Sequence, residues 1–102
     1  MLGFIHQNLN SPIKVGDVVA KSGCSETVLR DLFEKYLNTS IAAYIRKMRV
    51  LRACHLLATS SETIGTISDR CGFSSQYIFS RTFKRVAGCS PSAYRRIDRA
   101  NH

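Results

Sequence analysis

The stretch CGFSSQYIFSRTFKR, residues 71–85, decides the fold. A glycine and a serine pair end one helix-like run and begin another. Phe79, Phe83 and, just beyond the stretch, Val86 recur at helical spacing and predict the buried face of the second helix. Polar or bulky side chains share the opposite face: Gln76, Tyr77, Ser80, Arg81 and Lys84. Such a helix meets a core on one side and is free to meet a partner on the other.

The pattern around this stretch occurs twice in the chain. Residues 15–24 (VGDVVAKSGC) align with residues 64–73 (IGTISDRCGF), so that the two glycines of each segment match. One residue is then added in the turn, and five further identities follow in order: Ser25 with Ser75, Phe33 with Phe83, Ser40 with Ser90, Tyr44 with Tyr94, and Arg46 with Arg96. Self-similarity of this kind indicates one structural unit used twice.

Each repeated unit has a short helix, a tight glycine turn and a longer helix. This is the signature of a helix-turn-helix, whose second helix enters the major groove of DNA. Gly23 and Gly72 stand where the chain leaves the first helix, because a left-handed conformation costs glycine little. We expect Cys24 or Phe73, the residue that follows, to plug the space between the two helices.

Helical periodicity runs through the whole chain, and alternating strand-like runs are absent. The sequence therefore predicts an all-α fold of about seven helices, with two helix-turn-helix subdomains joined by a long linker helix. We expect the first subdomain at residues 1–39, the linker helix at residues 40–59 and the second subdomain at residues 60–102. Together they would form one DNA-binding domain.

Helix ends and buried faces follow from the same patterns. The first helix, with Phe4, Ile5 and Leu9, is expected to end before Ser11 and Pro12. The expected N-terminal caps are Ser25, Ser40, Ser60 or Ser61, and Ser74 or Ser75. Gly88 is expected to end the quoted helix, and Pro91 to begin the last one, which holds Tyr94. The predicted buried stripe of the third helix is Leu29, Leu32, Phe33 and Tyr36. That of the linker helix is Ile41, Tyr44, Ile45, Met48 and Leu51.

The charge is strongly positive and unevenly distributed. Lys and Arg number 15 against 7 Asp and Glu, a net charge of +8, and the sequence pI is about 9.8. Residues 1–39 are balanced, so the whole excess lies in residues 40–102. A domain this basic is expected to meet a polyanion, which is nucleic acid, an anionic membrane or an acidic protein.

Several other functions find little support in the sequence. No apolar run approaches the roughly 18 residues of a membrane span. The four cysteines form no C-x-x-C pair and the three histidines are scattered, so we expect neither a metal site nor a cofactor, and mostly buried, reduced thiols in the cytoplasm. Because nucleophile motifs, phosphate loops and paired carboxylates are missing, we do not expect an enzyme.

The exposed faces suggest which side chains read bases. Arginine can hold guanine through two hydrogen bonds and glutamine can hold adenine in the same way, which favours Arg81 and Gln76. Tyr77 and Ser80 can reach a base edge or a phosphate, and Ile78 a thymine methyl group. In the first unit the candidates are Thr27, Arg30 and Asp31. Asp31 could accept from cytosine or simply repel phosphate, so we expect the second unit to supply more of the affinity.

Hydroxyl and basic side chains near these helices are candidates for phosphate contacts. They are Ser25, Lys35, Arg46, Lys47, Ser75, Lys84 and Arg96, with Lys14 and Lys21 as further candidates. Arg46 and Arg96 could instead pair with an acid inside the fold. Arg49 and Arg52 extend the basic patch that Arg46 and Lys47 form on the linker helix.

Two segments, residues 16–50 (GDVVAKSGCSETVLRDLFEKYLNTSIAAYIRKMRV) and residues 64–96 (IGTISDRCGFSSQYIFSRTFKRVAGCSPSAYRR), resemble the AraC/XylS family of bacterial transcription regulators. The resemblance covers about residues 5–97. It implies seven helices in two helix-turn-helix units, which bind promoter DNA and often contact RNA polymerase to activate transcription. By position it implicates the same base-reading residues: Thr27, Arg30, Asp31, Gln76, Tyr77, Ile78, Ser80 and Arg81.

Two departures from the family pattern limit what the resemblance implies. Some stand-alone relatives have tryptophan where Thr27 lies and arginine where Asp31 lies, so their operator sequence does not transfer. Most family members also carry a separate effector-binding or dimerisation domain. We therefore expect this chain to be the C-terminal domain of a larger regulator, with a natural small activator as the alternative. Two other functions stay open, a basic helical adaptor for an acidic protein and a nonspecific nucleic-acid binder.

Overall fold

A computed structural model describes residues 2–8 and 14–100 of the chain. In these residues it contains seven helices and no strand: α1 Leu2–Gln7, α2 Val15–Ser22, α3 Glu26–Leu37, α4 Ile41–Thr59, α5 Ile64–Arg70, α6 Gln76–Ala87 and α7 Pro91–Ala100. The predicted all-α class and the helix count are confirmed. The expectations for Leu9, Ser11 and Pro12 fall outside the described residues.

Serine side chains fix the starts of the two longer helices in each repeated unit. Ser25 and Ser75 accept hydrogen bonds from the third backbone N–H of α3 and α6, at 3.2 and 3.1 Å. Ser40 and Ser90 do the same for α4 and α7, both at 3.1 Å. These are the serines that the alignment of the two units matched, so equivalent caps begin equivalent helices.

The two units also share an aromatic pair. Phe33 packs edge-on against Tyr44 with ring centroids 5.8 Å apart, and Phe83 packs in the same way against Tyr94 at 5.7 Å. Edge-to-face packing is a favoured geometry for such rings. The repeat that the sequence indicated is therefore a repeat of packing as well as of helix order.

Left-handed glycines turn the chain after three helices. Gly23 has φ 74° after α2, Gly72 has φ 82° after α5, and Gly88 has φ 87° after α6. Only glycine adopts this region at little cost. The turns predicted from the sequence are confirmed at all three positions.

The start of α5 differs from the prediction. Thr63, not Ser60 or Ser61, caps this helix, and its hydroxyl accepts from the Thr66 N–H at 3.1 Å. Ser60 instead closes α4, since its N–H and its hydroxyl both donate to the Leu56 carbonyl. The prediction was wrong because Ser60 ends α4, and α5 begins only at Ile64, so Thr63 and not Ser61 stands directly before its first residue.

Two separate hydrophobic clusters lie along α4. The first contains Ile5, Val18, Leu29, Phe33, Ile41 and Ile45. The second contains Val50, Ala53, Leu57, Ile67, Cys71, Phe73, Phe79 and Phe83. At 3.6 residues per turn, Val50 lies about 140° around the helix from Ile45. The buried face of α4 therefore changes direction midway, and each half of the helix serves its own cluster.

This change of direction explains one error in the predicted core. Leu51 lies between the two buried faces and is exposed, contrary to the prediction. Leu32, Tyr36 and Val86 are also exposed, Tyr36 at 70%. Tyr36 and Val86 occupy equivalent positions of the two units, in the last turns of α3 and α6. These last turns extend beyond the hydrophobic cluster that each helix packs against.

The expected plug between the helices forms in one unit only. Phe73 is buried, with its ring centroid 4.9 Å from that of Phe79, whereas Cys24 at the equivalent position is exposed. A thiol is too short to reach the cluster that a phenyl ring reaches. The boundaries expected at residues 39/40 and 59/60 stay a prediction.

Replacing Thr63 by alanine should lower the free energy of unfolding by about 1 kcal/mol, the usual value of a lost N-terminal cap. Urea unfolding followed by circular dichroism measures this change. The matched control is Ser61→Ala, two residues earlier, which should change stability by less than about 0.5 kcal/mol. Equal losses in the two variants would contradict the assignment of the cap to Thr63.

Candidate nucleic-acid interface

Helix α6 has one buried face and one exposed face. Phe79 and Phe83 are fully buried, whereas Gln76, Ile78 and Arg81 are exposed and Tyr77 is 69% exposed. The other predicted side chains of this face are half-buried Ser80 and exposed Lys84. The sequence therefore predicted correctly which side of α6 is exposed.

Two of the predicted readers on α6 lie close to neighbouring residues. The Arg81 guanidinium lies 5.6 Å from the Tyr77 ring centroid, which is within range of a cation–π interaction. The Gln76 amide oxygen lies against Gly65 of α5, where a Cβ atom would approach it to 3.1 Å. The sequence analysis matched Gly65 to Gly16 but did not foresee that Gly65 leaves room for a reader.

Helix α3 presents a less uniform face. Thr27, Asp31 and Lys35 are exposed as expected. Arg30 forms an ion pair with Glu26 one turn earlier, at 3.4 Å, and both side chains are more than half exposed. Exposed pairs at this spacing stabilise by only about 0.3–0.5 kcal/mol, so an incoming phosphate or base could replace Glu26 at little cost.

A groove connects α3 to α6 along one side of α4. It consists of four concavities that share lining residues, and we call it the central groove. The concavity beside α3 is lined by Glu26 and Arg30, and the one beside α6 by Ile78, Arg81, Thr82 and Arg85. The two middle concavities, of about 230 and about 270 Å³, share the three cations Lys14, Arg46 and Arg49.

The electrostatics of the central groove favour anions. Six basic side chains line it: Lys14, Arg30, Arg46, Arg49, Arg81 and Arg85. Glu26 is the one carboxylate among the described residues that line these four concavities. Burial lowers the pKa of the half-buried Arg49 guanidinium, which shows that its charge is partly removed from water.

The predicted phosphate contacts are not all in this groove. Arg46 lines it, whereas Lys47, the next residue, is exposed and does not. Ser25 and Ser75 stand at the N-terminal ends of α3 and α6, where backbone N–H groups also favour anions. The remaining candidates are exposed at other points of the surface: Lys35, Lys84 and Arg96.

Several basic side chains are used inside the fold instead. Arg95 donates to the carbonyls of Leu57 and Ser60 at 3.1 and 3.2 Å, and Arg99 donates to the Ser60 carbonyl at 3.2 Å. Together they cap the C-terminal end of α4, where cations are favoured. Arg70 pairs with Glu62. The formal charge of +8 therefore overstates how many cations are available to a partner.

The four cysteines are free thiols with different surroundings. Burial raises the pKa of the fully buried Cys71 thiol to about 11. Burial also raises the pKa of the half-buried Cys54 thiol, which is hydrogen-bonded to Tyr94. Cys24 is exposed, so the expectation of mostly buried thiols fails there. Residues 2–8 and 14–100 contain no group of three side chains placed to hold a metal ion.

No helix in the described part of the chain is long and apolar enough to cross a membrane. Its longest helix, α4, has 19 residues and carries four basic side chains: Arg46, Lys47, Arg49 and Arg52.

The fold and the exposed helices agree with what comparison with known proteins finds. The family model of a helix-turn-helix domain matches residues 18–97. The DNA-binding domain of AdpA, solved in complex with a target DNA, superimposes with a TM-score of 0.94 at 28% identity, over 99% of this chain and 91% of that one. A crystal structure of an AraC-type DNA-binding protein from Chromobacterium violaceum superimposes with a TM-score of 0.85 at 32% identity, over 92% of this chain and 84% of that one.

The chain belongs to the AraC/XylS family. This AraC/XylS chain is 38% identical over 98 residues to YkgA of Escherichia coli (strain K12), a match that covers 96% of the chain but 41% of YkgA. It therefore spans less than half of that relative. As a member of the family it is a DNA-binding domain of a transcription regulator, and the two helix-turn-helix units expected from the sequence are confirmed.

Raising the pH above 9 should lower the free energy of unfolding through Cys71. Its pKa is about 11 in the folded chain against an ordinary value of 9.0, so the folded state keeps a proton that the unfolded state loses. The stabilising contribution is complete below pH 9 and is lost between pH 9 and 11, at most about 2–3 kcal/mol.

Urea unfolding between pH 7 and 10.5 measures this effect. Cys71→Ala should be less stable at every pH but should show a flatter fall above pH 9. Cys24→Ala, which removes an exposed thiol, should retain the slope of the unsubstituted chain. Parallel curves for the unsubstituted chain and Cys71→Ala would show that Cys71 does not carry the pH dependence.

Proposed function

We propose that the chain is the promoter-binding domain of a bacterial transcription activator that reads one operator with both α3 and α6. One observation carries this proposal: α3 and α6 each pack one face on the same helix, α4, expose the other face, and are joined by a cationic groove. The similar AdpA domain was solved in complex with a target DNA, which supports DNA as the partner. Promoter DNA places this activity in the bacterial cytoplasm.

The length of α4 supports simultaneous binding by the two helices. Its 19 residues extend about 28 Å at 1.5 Å per residue. Successive major-groove segments on one face of B-DNA lie about 34 Å apart. When the bulk of the two clusters is added to this length, the spacing of α3 and α6 is compatible with this distance. One copy of the domain would then do what a symmetric dimer does elsewhere.

The two helices have different parts in the proposal. On α6, Arg81 would hold guanine and Gln76 adenine, with Tyr77, Ile78 and Ser80 completing the base contacts. On α3 the base-reading residues would be Thr27, Arg30 and Asp31. The exposed Asp31 carboxylate can repel phosphate, and Arg30 is already paired with Glu26. We therefore expect α6 to supply more of the affinity for DNA.

Phosphate contacts would position both helices without reading sequence. The proposed residues are Ser25, Lys35, Arg46, Ser75, Lys84 and Arg96. The Ser25 and Ser75 hydroxyls, which accept from the helix backbone, can still donate to a phosphate. Lys47 is a weaker candidate, since it lies outside the central groove. Contact with RNA polymerase is part of the proposal, and a further effector or dimerisation domain stays a prediction.

Selection from a random duplex library at about 150 mM salt tests the proposal. Two conserved boxes about one helical turn apart are the expected result. Repeating the selection with Arg81→Ala should relax the preference at one or two positions of one box, at about 1–3 kcal/mol per lost contact.

The matched control for this selection is Lys84→Ala, on the same face of α6. It should weaken binding to all sequences alike and leave both boxes unchanged. Failure to enrich any duplex, with binding that collapses as salt rises, would favour a nonspecific nucleic-acid binder. Failure to bind DNA at all would favour an adaptor for an acidic protein.

A further inference from the structure

The middle of the central groove carries a cluster of cations that neither recognition helix contributes. Lys14 stands at the start of α2, and Arg46 and Arg49 lie one turn apart on α4. All three line both of the middle concavities. The groove thus brings Lys14 close to two arginines that follow it by 32 and 35 residues in the sequence. The periodicity of a single helix cannot indicate such a cluster.

The apolar floor of the groove strengthens the attraction of these cations for an anion. Ala42 and Ile45 lie on the α3 side, and Phe73 and Ile78 on the α6 side. Apolar walls lower the local dielectric constant, and a charge attracts an anion more strongly there than in open water. Arg49 is the most affected, because burial already lowers its pKa. An anion bound here would offset part of the cost of that desolvation.

The position of the groove indicates which anion would bind there. One end opens beside Arg30 of α3 and the other beside Arg81 of α6. When two recognition helices occupy successive major-groove segments, the minor groove between them faces the scaffold that joins the helices. Its phosphates are the anions that come closest to α4, and guanidinium groups match phosphate oxygens in a bidentate geometry.

We propose that Lys14, Arg46 and Arg49 form a clamp for the backbone phosphates of the operator spacer, the segment between the two boxes. This proposal rests on the proposed function, since it requires α3 and α6 to bind adjacent major-groove segments. The clamp reads no base.

The chain offers a variant that removes two of the three cations of the clamp without disturbing the fold. Lys14 and Arg46 are exposed, and the Lys14 backbone N–H, which an alanine retains, donates to the Asp17 carboxylate at 2.8 Å. Lys14→Ala with Arg46→Ala should therefore fold normally, as its thermal melting curve will show. Lys47→Ala is the matched control, because it removes a neighbouring cation of α4 outside the groove.

The experiment replaces spacer phosphates of the selected duplex, one at a time, by neutral methylphosphonates. For the unsubstituted protein, one or two spacer positions should lower the affinity about tenfold each, the loss of one charge-assisted hydrogen bond. The double variant should bind the ordinary duplex more weakly and lose much less than tenfold at those positions, since only Arg49 of the clamp remains. Its log–log salt dependence should become shallower by about 1.8, the value for two released counterions.

Three results decide between the outcomes. Lys47→Ala should keep the tenfold sensitivity at the same spacer positions. The clamp is overturned if the unsubstituted protein and the double variant are equally sensitive to the methylphosphonates. It is also overturned if no spacer position is sensitive while both boxes remain protected. Either result leaves the proposed function standing. If the protein protects no pair of boxes, the proposed function fails and the clamp fails with it.

Discussion

The change of buried face along α4 is the constraint on which the rest of the structure depends. Ile41 and Ile45 enter the first cluster, whereas Val50, Ala53 and Leu57 enter the second from a different side of the same helix. The helix contains neither glycine nor proline, and Arg95 and Arg99 close its end, so bending and fraying are both disfavoured. Two small cores are therefore held at a fixed distance and rotation. Neither would bury enough apolar surface to be stable without this shared helix.

The small size of these two cores explains why α3 and α6 each keep an exposed face. Each of α3 and α6 is anchored by two aromatic or aliphatic residues one turn apart, Leu29 with Phe33 and Phe79 with Phe83. The last turn of each helix extends past its cluster, which leaves Tyr36 and Val86 exposed. A helix held by a narrow stripe keeps most of its circumference open to DNA. The cost is a few apolar side chains in water, which are tolerated when they are scattered.

Local chemistry made much of this fold predictable from the sequence. The serine caps, the left-handed glycines and the repeated Phe–Tyr pair depend on residues near one another or on the alignment of the two units. The errors concern how far a core reaches. Periodicity places Leu51 beside Tyr44 and Met48, at the edge of the predicted stripe, but it cannot show that the second cluster contacts a different side of the helix. The groove formed by Lys14, Arg46 and Arg49 depends on that same tertiary arrangement, so only the basic character of α4 was foreseen.

The affinity of the domain for operators of altered spacing tests most directly whether α4 fixes two reading helices on one DNA. Inserting about five base pairs between the boxes rotates one box by half a helical turn away from the other. If α4 is rigid, the affinity should fall to that of a duplex carrying the α6 box alone, and the footprint over the α3 box should disappear. An unchanged affinity with both boxes still protected would contradict a rigid α4. An unchanged affinity with one box protected throughout would contradict reading by two helices.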